Sequence, residues 1–168
     1  MSVGAINADI LIATANRMLL HAEFAGWKVI FIKNEYRKAD RIGNFFRKSA
    51  AIEGSIGAEI DRRIRVPAAA TILPKSNPDA FTNLKLAEIL KDAGIQDLVI
   101  LGLMAEGCVR ATVKSGIRKG FSVTVISDGV ASSRDFLKGV GLKSMEKAGA
   151  KLKECGEIVE DTGNISDR

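Results

Sequence analysis

Apolar residues recur at helical spacing in four parts of the chain. The first pattern predicts a helix over about residues 6–25, which Gly26 closes. Thr82 or Asn83 caps the second helix, and Gly94 ends it. The other two patterns lie at residues 113–119, before Gly120, and at about residues 138–153.

Short continuous apolar runs stand between these helical patterns and are typical of buried strands. They lie at residues 27–32, 70–73, 97–101, 121–126 and 156–159. Pro74 is predicted to stop the second strand, and Asp128-Gly129 to begin a loop after the fourth. The alternation of strands and helices predicts one domain over residues 1–168. Its predicted fold class is α/β, three-layer α/β/α, with a mainly parallel, Rossmann-like sheet.

The long polar segment at residues 33–66 interrupts this alternation. It carries an apolar insert at Ile42, Phe45 and Phe46. A connection of this length between strands is uncommon and is often a lid or a binding loop. We therefore expect it to help select the substrate.

Composition points to a cytoplasmic protein outside the membrane. The 168 residues are 46% hydrophobic and 27% charged, which is ordinary for a globular domain. No apolar run approaches the roughly 20 residues that cross a bilayer, and the first residues show no signal-peptide pattern. Two cysteines, Cys108 and Cys155, do not form a disulfide framework, so a reducing setting is expected.

The net charge of +5 does not predict nucleic-acid binding. Basic residues alternate with acidic ones, as in residues 33–41, and aromatic residues are only 5%, too few for base stacking. The basic balance still favours an anionic small-molecule substrate. The only histidine, His21, lies in the first predicted helix, and no His, Cys and carboxylate spacing fits a metal, so we expect no metal and no cofactor.

The stretch from Gly102 to Thr112 carries the clearest chemical signal. It joins the strand at residues 97–101 to a helix and places Cys108 in the first turn of that helix. Unpaired N–H groups and the positive end of the helix dipole both favour a thiolate at this position. A thiolate attacks carbonyl carbon, which predicts a nucleophile. The alternative is a small, inert residue packed at a helix start.

Four segments carry further motifs in a fixed order along the chain. They are Gly54-Ser55-Ile56-Gly57-Ala58-Glu59, Lys75 with Asp79-Ala80-Phe81 and Leu84, Gly102 to Thr112, and Val125 to Ser132. In order and spacing they resemble the isochorismatase-like cysteine hydrolases over about residues 10–160. The Gly-Cys-Val-Arg-Ala-Thr string around Cys108 is particularly similar to members that hydrolyse N-carbamoyl compounds. The metal motif of the nicotinamidase branch, Asp-x-His-x-x-His, is absent from the sequence.

The resemblance implies a Cys-Lys-Asp catalytic set. Cys108 would be the nucleophile that cleaves an amide or carbamoyl C–N bond through a thioester-type intermediate, and Lys75 would be its cationic partner. A cis peptide at Leu103-Met104 would shape the turn, and the backbone N–H groups of Met104 and Cys108 would form the oxyanion hole. Members are commonly oligomers, so a homo-oligomer, dimer or tetramer, is expected.

Three further residues have two interpretations each. Arg110 either binds a substrate carboxylate or faces solvent on its helix. Phe45 and Phe81 either line a substrate pocket or pack in the core. Lys75 itself has the alternative of an ordinary surface lysine.

The aspartate of the family set has no clear counterpart. In the family it ends a central first strand upstream of the first helix, whereas Asp9 falls inside the first predicted helix, where the dipole favours an acid. Glu35 and Glu106 are the other carboxylates near the expected sheet edge. Without that strand the chain is N-terminally short of the family pattern, and its sheet should contain a gap or re-pair. The alternative function is therefore an inactive or truncated member that acts as a binding or assembly subunit.

Overall fold

The computed structural model describes residues 5–35, 54 and 58–161, which form five helices and five strands. The helices are α1 (Ala5–Phe24), α2 (Leu84–Asp92), α3 (Arg110–Arg118), α4 (Asp135–Glu146) and α5 (Cys155–Asp161). The strands are β1 (Ile30–Asn34), β2 (Thr71–Lys75), β3 (Asp97–Leu103), β4 (Ser122–Ala131) and β5 (Lys151–Lys153). A short 3₁₀ turn, Ala80–Thr82, precedes α2, and a π-type turn, Ala105–Val109, precedes α3.

All strand pairs are parallel, and they form two separate sheets among the described residues. One sheet pairs β1 with β2, and the other has the order β3-β4-β5. This division agrees with the gap expected from the sequence. The carboxyl ends of β2 and β3, which lead to Lys75 and Cys108, therefore belong to different hydrogen-bonded units.

Helices cover both faces of the three-stranded sheet. Val123 and Val125 of β4 are buried in one cluster with Val113 of α3 and Met145 of α4. Ile126 faces the opposite side, in a cluster that also holds Met18, Cys155 and the partly buried Val99. Because adjacent residues of a strand point to opposite faces, this alternation produces the predicted three layers.

The two-stranded sheet has its own apolar cover. Leu73 of β2 is buried with Phe81 of the 3₁₀ turn and with Leu86 and Leu90 of α2. Asn83 caps α2 with its side chain, which accepts a hydrogen bond from the N–H of Lys85 at 3.0 Å. This confirms Asn83, one of the two predicted caps, and sets the start of α2 after the loop that follows Lys75.

Two predicted strand ends are wrong. Pro74 lies inside β2, which is possible because β2 pairs on one side only among the described residues and a proline is tolerated at such an edge. β4 continues through Asp128-Gly129, where its pairing with β3 shifts register between Ile100 and Gly102. Gly102 has a φ of 130°, which few residues other than glycine adopt, so the irregularity is built into β3.

The last predicted helix and strand are also displaced. α4 ends at Glu146 instead of about residue 153, and residues 151–153 pair with β4. The run at residues 156–159 is helical in α5 rather than a strand. Ile158 and Val159 follow Cys155 at spacings of three and four, so one face of a helix buries all three.

Alkaline conditions should destabilise the fold through Cys155. The side chain is 1% exposed, and burial raises the pKa of its thiol above the ordinary value of 9.0. Above that value the unfolded chain loses the thiol proton while the folded chain keeps it, so stability falls as pH rises. We expect Cys155→Ala to cost about 1 kcal/mol at pH 7. The difference in melting temperature between Cys155→Ala and the natural chain should be smaller at pH 10 than at pH 7. An equal difference at both pH values would contradict this account.

Candidate active site

Cys108 lies in the predicted turn between β3 and α3. The peptide bond between Leu103 and Met104 is cis, as the resemblance implies. The π-type turn follows directly and carries Cys108 as a free, half-buried thiol. The nine-residue α3 begins two positions later at Arg110. The thiol therefore stands at the amino end of a helix, where helix N–H groups and the helix dipole favour negative charge.

The carbonyl of Met104 organises the backbone of this turn. It accepts hydrogen bonds from the N–H of Gly107 at 3.0 Å and of Val109 at 3.2 Å. The N–H of Met104 is the donor in none of the backbone hydrogen bonds found outside the helices and strands of the described residues. The role of this N–H in an oxyanion hole stays a prediction.

Two residues, one directly after β4 and one in α4, contact the turn and support its backbone. The hydroxyl of Ser132, which is buried, donates to the carboxylate of Glu106. In α4, Gly141 lies so close that a Cβ there would stand 2.7 Å from the carbonyl carbon and oxygen of Ala105. Glu106 is therefore engaged inside the protein. Neither Ser132 nor Gly141 was identified from the sequence as a support of the turn.

Lys75 is buried, which rules out the surface alternative. Its side chain is only 8% exposed at the carboxyl end of β2. The ammonium donates to the carbonyl oxygens of Asn77 and Pro78, both at 2.8 Å. Within the described part of the chain no carboxylate forms an ion pair with it. Among the described residues, the contacts of this ammonium are thus with neutral carbonyl oxygens.

One row of residues on α3 connects the lysine loop to the cysteine turn. The N–H of Ala80 donates to the hydroxyl of Thr112 at 3.0 Å. Four residues later, a Cβ at Gly116 would stand 3.4 Å from the ring of Phe81. Cys108 lies outside this row, in the π-type turn that precedes α3. The contacts of Thr112 and Gly116 therefore tie the loop after Lys75 to the helix that follows the cysteine turn.

A family model described as the isochorismatase domain matches residues 3–154. The chain belongs to the isochorismatase family. This membership agrees with the fold, the cis peptide and the placement of Cys108 in its turn.

Several isochorismatase-like proteins resemble the chain over much of its length. YddQ of Bacillus subtilis, an uncharacterized isochorismatase family protein, is 27% identical over 127 residues, which cover 76% of this chain and 67% of YddQ. N-carbamoylsarcosine amidase of Arthrobacter sp. is 30% identical over 122 residues, 67% of this chain but only 46% of the amidase. The structure of N-carbamoylsarcosine amidase from Thermoplasma acidophilum has a TM-score of 0.80 at 23% identity, covering 90% of this chain and 86% of that chain. This last likeness shows the fold alone.

The predicted substrate-binding residues of this isochorismatase-family chain differ in how far they are buried. Phe81 is 6% exposed and stacks on Phe121 with ring centroids 5.7 Å apart, so it packs in the core. Its contact with substrate stays a prediction, and Phe45 lies outside the described residues. Arg110 is half-buried, and its guanidinium has no ion pair within the described ranges.

Neither Asp9 nor Glu35 is an obvious proton acceptor for the thiol. Asp9 lies exposed on α1 and pairs with Arg63 at 2.7 Å. Glu35 follows β1 and pairs with Lys33 at 2.7 Å. Among the residues the structure describes, no group of three His, Cys, Asp or Glu side chains could hold a metal ion. In the same residues no helix is long and apolar enough to cross a membrane.

Proposed function

We propose that this protein is a hydrolase that cleaves a C–N bond of a small amide or carbamoyl compound. Cys108 is the nucleophile. The observation that carries the proposal is the position of its free thiol, at the amino end of α3, a helix that the Ala80–Thr112 hydrogen bond ties to the loop after the buried Lys75. The amidases among its relatives support the same bond type. A purely structural subunit is disfavoured because the chain carries a free, half-buried thiol before a helix and a buried lysine, and its relatives include amidases.

The first half of the reaction forms a covalent intermediate. The sulfur of Cys108 attacks the carbonyl carbon, and negative charge develops on the carbonyl oxygen. The N–H groups of Met104 and Cys108 are the proposed donors to that oxygen. A fixed donor of this kind lowers the barrier by about 3–4 kcal/mol. The C–N bond then breaks, ammonia or an amine leaves with the proton of the thiol, and an acyl thioester remains.

The second half restores the thiol. Water attacks the thioester carbonyl, the same donors stabilise the oxyanion, and the C–S bond breaks. Water supplies the hydroxyl of the released acid and the proton that returns to sulfur. For a carbamoyl substrate the acid released is carbamic acid, or its N-substituted form if ammonia left first, and it loses carbon dioxide.

Lys75 supplies fixed positive charge to both steps. Two carbonyl oxygens at 2.8 Å hold its ammonium, so the charge needs no reorganisation when negative charge forms nearby. An opposite charge within about 4–6 Å stabilises a thiolate. We propose that Lys75 acts on Cys108 in this way.

Arg110 is the proposed contact for a carboxylate on the substrate. It lies half-buried two residues after the nucleophile, and no carboxylate of the described chain neutralises it. A guanidinium recognises a carboxylate through two parallel hydrogen bonds. N-carbamoyl amino acids combine such a carboxylate with the scissile bond.

The release of ammonia tests the proposed activity. The purified chain should release ammonia from at least one compound of a panel of N-carbamoyl amino acids and primary amides. Enzyme blocked beforehand with iodoacetamide should release none, because the alkylated sulfur cannot attack. Release that survives complete alkylation of Cys108, verified by mass spectrometry, would contradict the mechanism. No release from the whole panel would contradict the substrate class.

A further inference from the structure

We infer that the side-chain amide of Asn34 binds the –NH₂ group of a carbamoyl or primary amide ligand beside Lys75. The observation is a buried acceptor without a donor. The Oδ1 atom of Asn34 is inaccessible to solvent and accepts no hydrogen bond in the described part of the protein. This inference deepens the proposed function and rests on it for the identity of the site.

A buried carbonyl oxygen without a partner is unusual in a folded protein. At least nine in ten buried polar groups are hydrogen-bonded, because leaving one unpaired carries its whole desolvation cost. A ligand that supplies the missing donor would offset that cost, and we infer such a ligand for Asn34.

The register of the two-stranded sheet places this oxygen at the candidate site. Asn34 is the last residue of β1 and the direct cross-strand partner of Lys75, the last residue of β2. The N–H of Glu35 donates to the carbonyl of Lys75 at 2.7 Å and fixes this pairing at its end. Paired residues on adjacent parallel strands point to the same face, with backbones about 4.8 Å apart. The side chains of Asn34 and Lys75 therefore start from neighbouring positions on the same face of the sheet.

The face that Asn34 shares with Lys75 is the face that leads to Cys108. Ile32 and Leu73, two pairs earlier in the register and so on the same face, belong to the cluster around Phe81. The 3₁₀ turn of Phe81 is the one that binds Thr112 through Ala80. Lys33 points to the other face, as alternation requires, and pairs with Glu35 and Glu59.

The unpaired oxygen of Asn34 limits the kind of ligand group that can bind to it. An amide carbonyl accepts from N–H or O–H donors, so the ligand group must offer a hydrogen on nitrogen or oxygen. Esters, ketones and vinyl ethers have none at the reacting end. A carbamoyl group offers two such hydrogens, on the nitrogen bonded to the carbon that the thiol attacks. Asn34 therefore selects amide over ester or ether substrates for the same nucleophile.

Binding to an inert variant tests this assignment without turnover. In a Cys108→Ala chain, calorimetric titration compares two pairs of probes that differ by NH₂ against CH₃: N-carbamoylglycine with N-acetylglycine, and nicotinamide with 3-acetylpyridine. We expect the NH₂ member of at least one pair to bind roughly tenfold more tightly or better. Adding Asn34→Leu should reduce that preference to within about twofold. No preference in the parent variant, or a preference that survives Asn34→Leu, would overturn the inference.

A stability measurement separates recognition from a structural role. Because Asn34→Leu removes an unpaired buried acceptor, its melting temperature should equal or exceed that of the parent. A fall of many degrees would show that the amide supports the fold and would count against ligand binding.

The outcomes distinguish this inference from the hydrolase proposal. Suppose that the preference for NH₂ depends on Asn34 but the natural chain releases no ammonia. The binding role of Asn34 would then stand, and the proposed hydrolysis would be refuted. Ammonia release without any contribution of Asn34 would do the reverse.

Discussion

Cys108→Ala should lower kcat/KM for ammonia release by roughly 10⁴-fold or more, because no other side chain can form the acyl intermediate. The fold should survive the change, since the thiol is half-buried at the end of a turn that backbone hydrogen bonds maintain. The measurement is steady-state release of ammonia together with the melting temperature. A residual activity above one hundredth of the natural rate would contradict a nucleophilic role for Cys108.

Cys155→Ala is the matched control for this experiment. Cys155 is buried behind the sheet with Met18 and Ile126, far in the fold from the cysteine turn, so activity should remain within about threefold. In the native protein iodoacetamide should label Cys108 well before Cys155. Equal labelling of the two thiols in mass spectra would contradict the greater accessibility of Cys108 and the burial of Cys155.

Lys75→Met should lower kcat by roughly 10²- to 10⁴-fold, because it removes the proposed cationic partner of Cys108, the only lysine or arginine that is buried in the described chain. The change also leaves the carbonyls of Asn77 and Pro78 without their donor, so a loss of about 1–3 kcal/mol in stability accompanies it. Kinetics measured well below the melting temperature separate the two effects. Activity near the natural level in a folded Lys75→Met chain would refute the catalytic role.

Lys33→Met controls for the loss of a positive charge near the same sheet edge. Lys33 lies one residue before the end of β1 and is already paired with Glu35. Its replacement should change kcat by less than about threefold. Lys75→Arg restores the charge with a different shape and should recover activity only in part. Equal losses in Lys33→Met and Lys75→Met would show a general electrostatic effect instead of a specific one.

The elements that position Cys108 were predictable because their signals are local. An apolar run, a glycine-rich turn and a helix closed by Gly120 stand next to one another in the sequence, and the structure confirms all three. The placement of Asp9 on a helix also followed from local periodicity. For these residues local preference and tertiary packing agree.

The errors arose where tertiary contacts decide the conformation. A short run such as Gly156 to Val159 suits a strand or a helix equally, and only packing against Met18 and Ile126 selects the helix. The turn signal of Asp128-Gly129 yields to pairing with β3. In both places the winning contact joins residues distant in sequence, which no local pattern records.

The supports of the site were hidden for the same reason. The burial of Lys75 depends on carbonyls of its own loop, and the hydroxyl of Ser132 reaches Glu106 across 26 positions of chain. Gly141 gave no signal as an ordinary glycine within a helical pattern, although α4 can approach Ala105 only there. Asn34 lacked any sequence signal because its significance is an unfilled hydrogen bond.

The division of the strands into two sheets has a consequence for cooperativity. No ladder of backbone hydrogen bonds joins β1 and β2 to the other three strands in the described fold, so contacts such as that of Ala80 with Thr112 help to hold the halves together. Local opening of the β1–β2 unit therefore needs less free energy than global unfolding. Amide protons of β1 and β2 should exchange with solvent earlier than those of β4. In mild denaturant, β1 and β2 should then unfold with Lys75 and Asn34 while the turn of Cys108 keeps its native conformation.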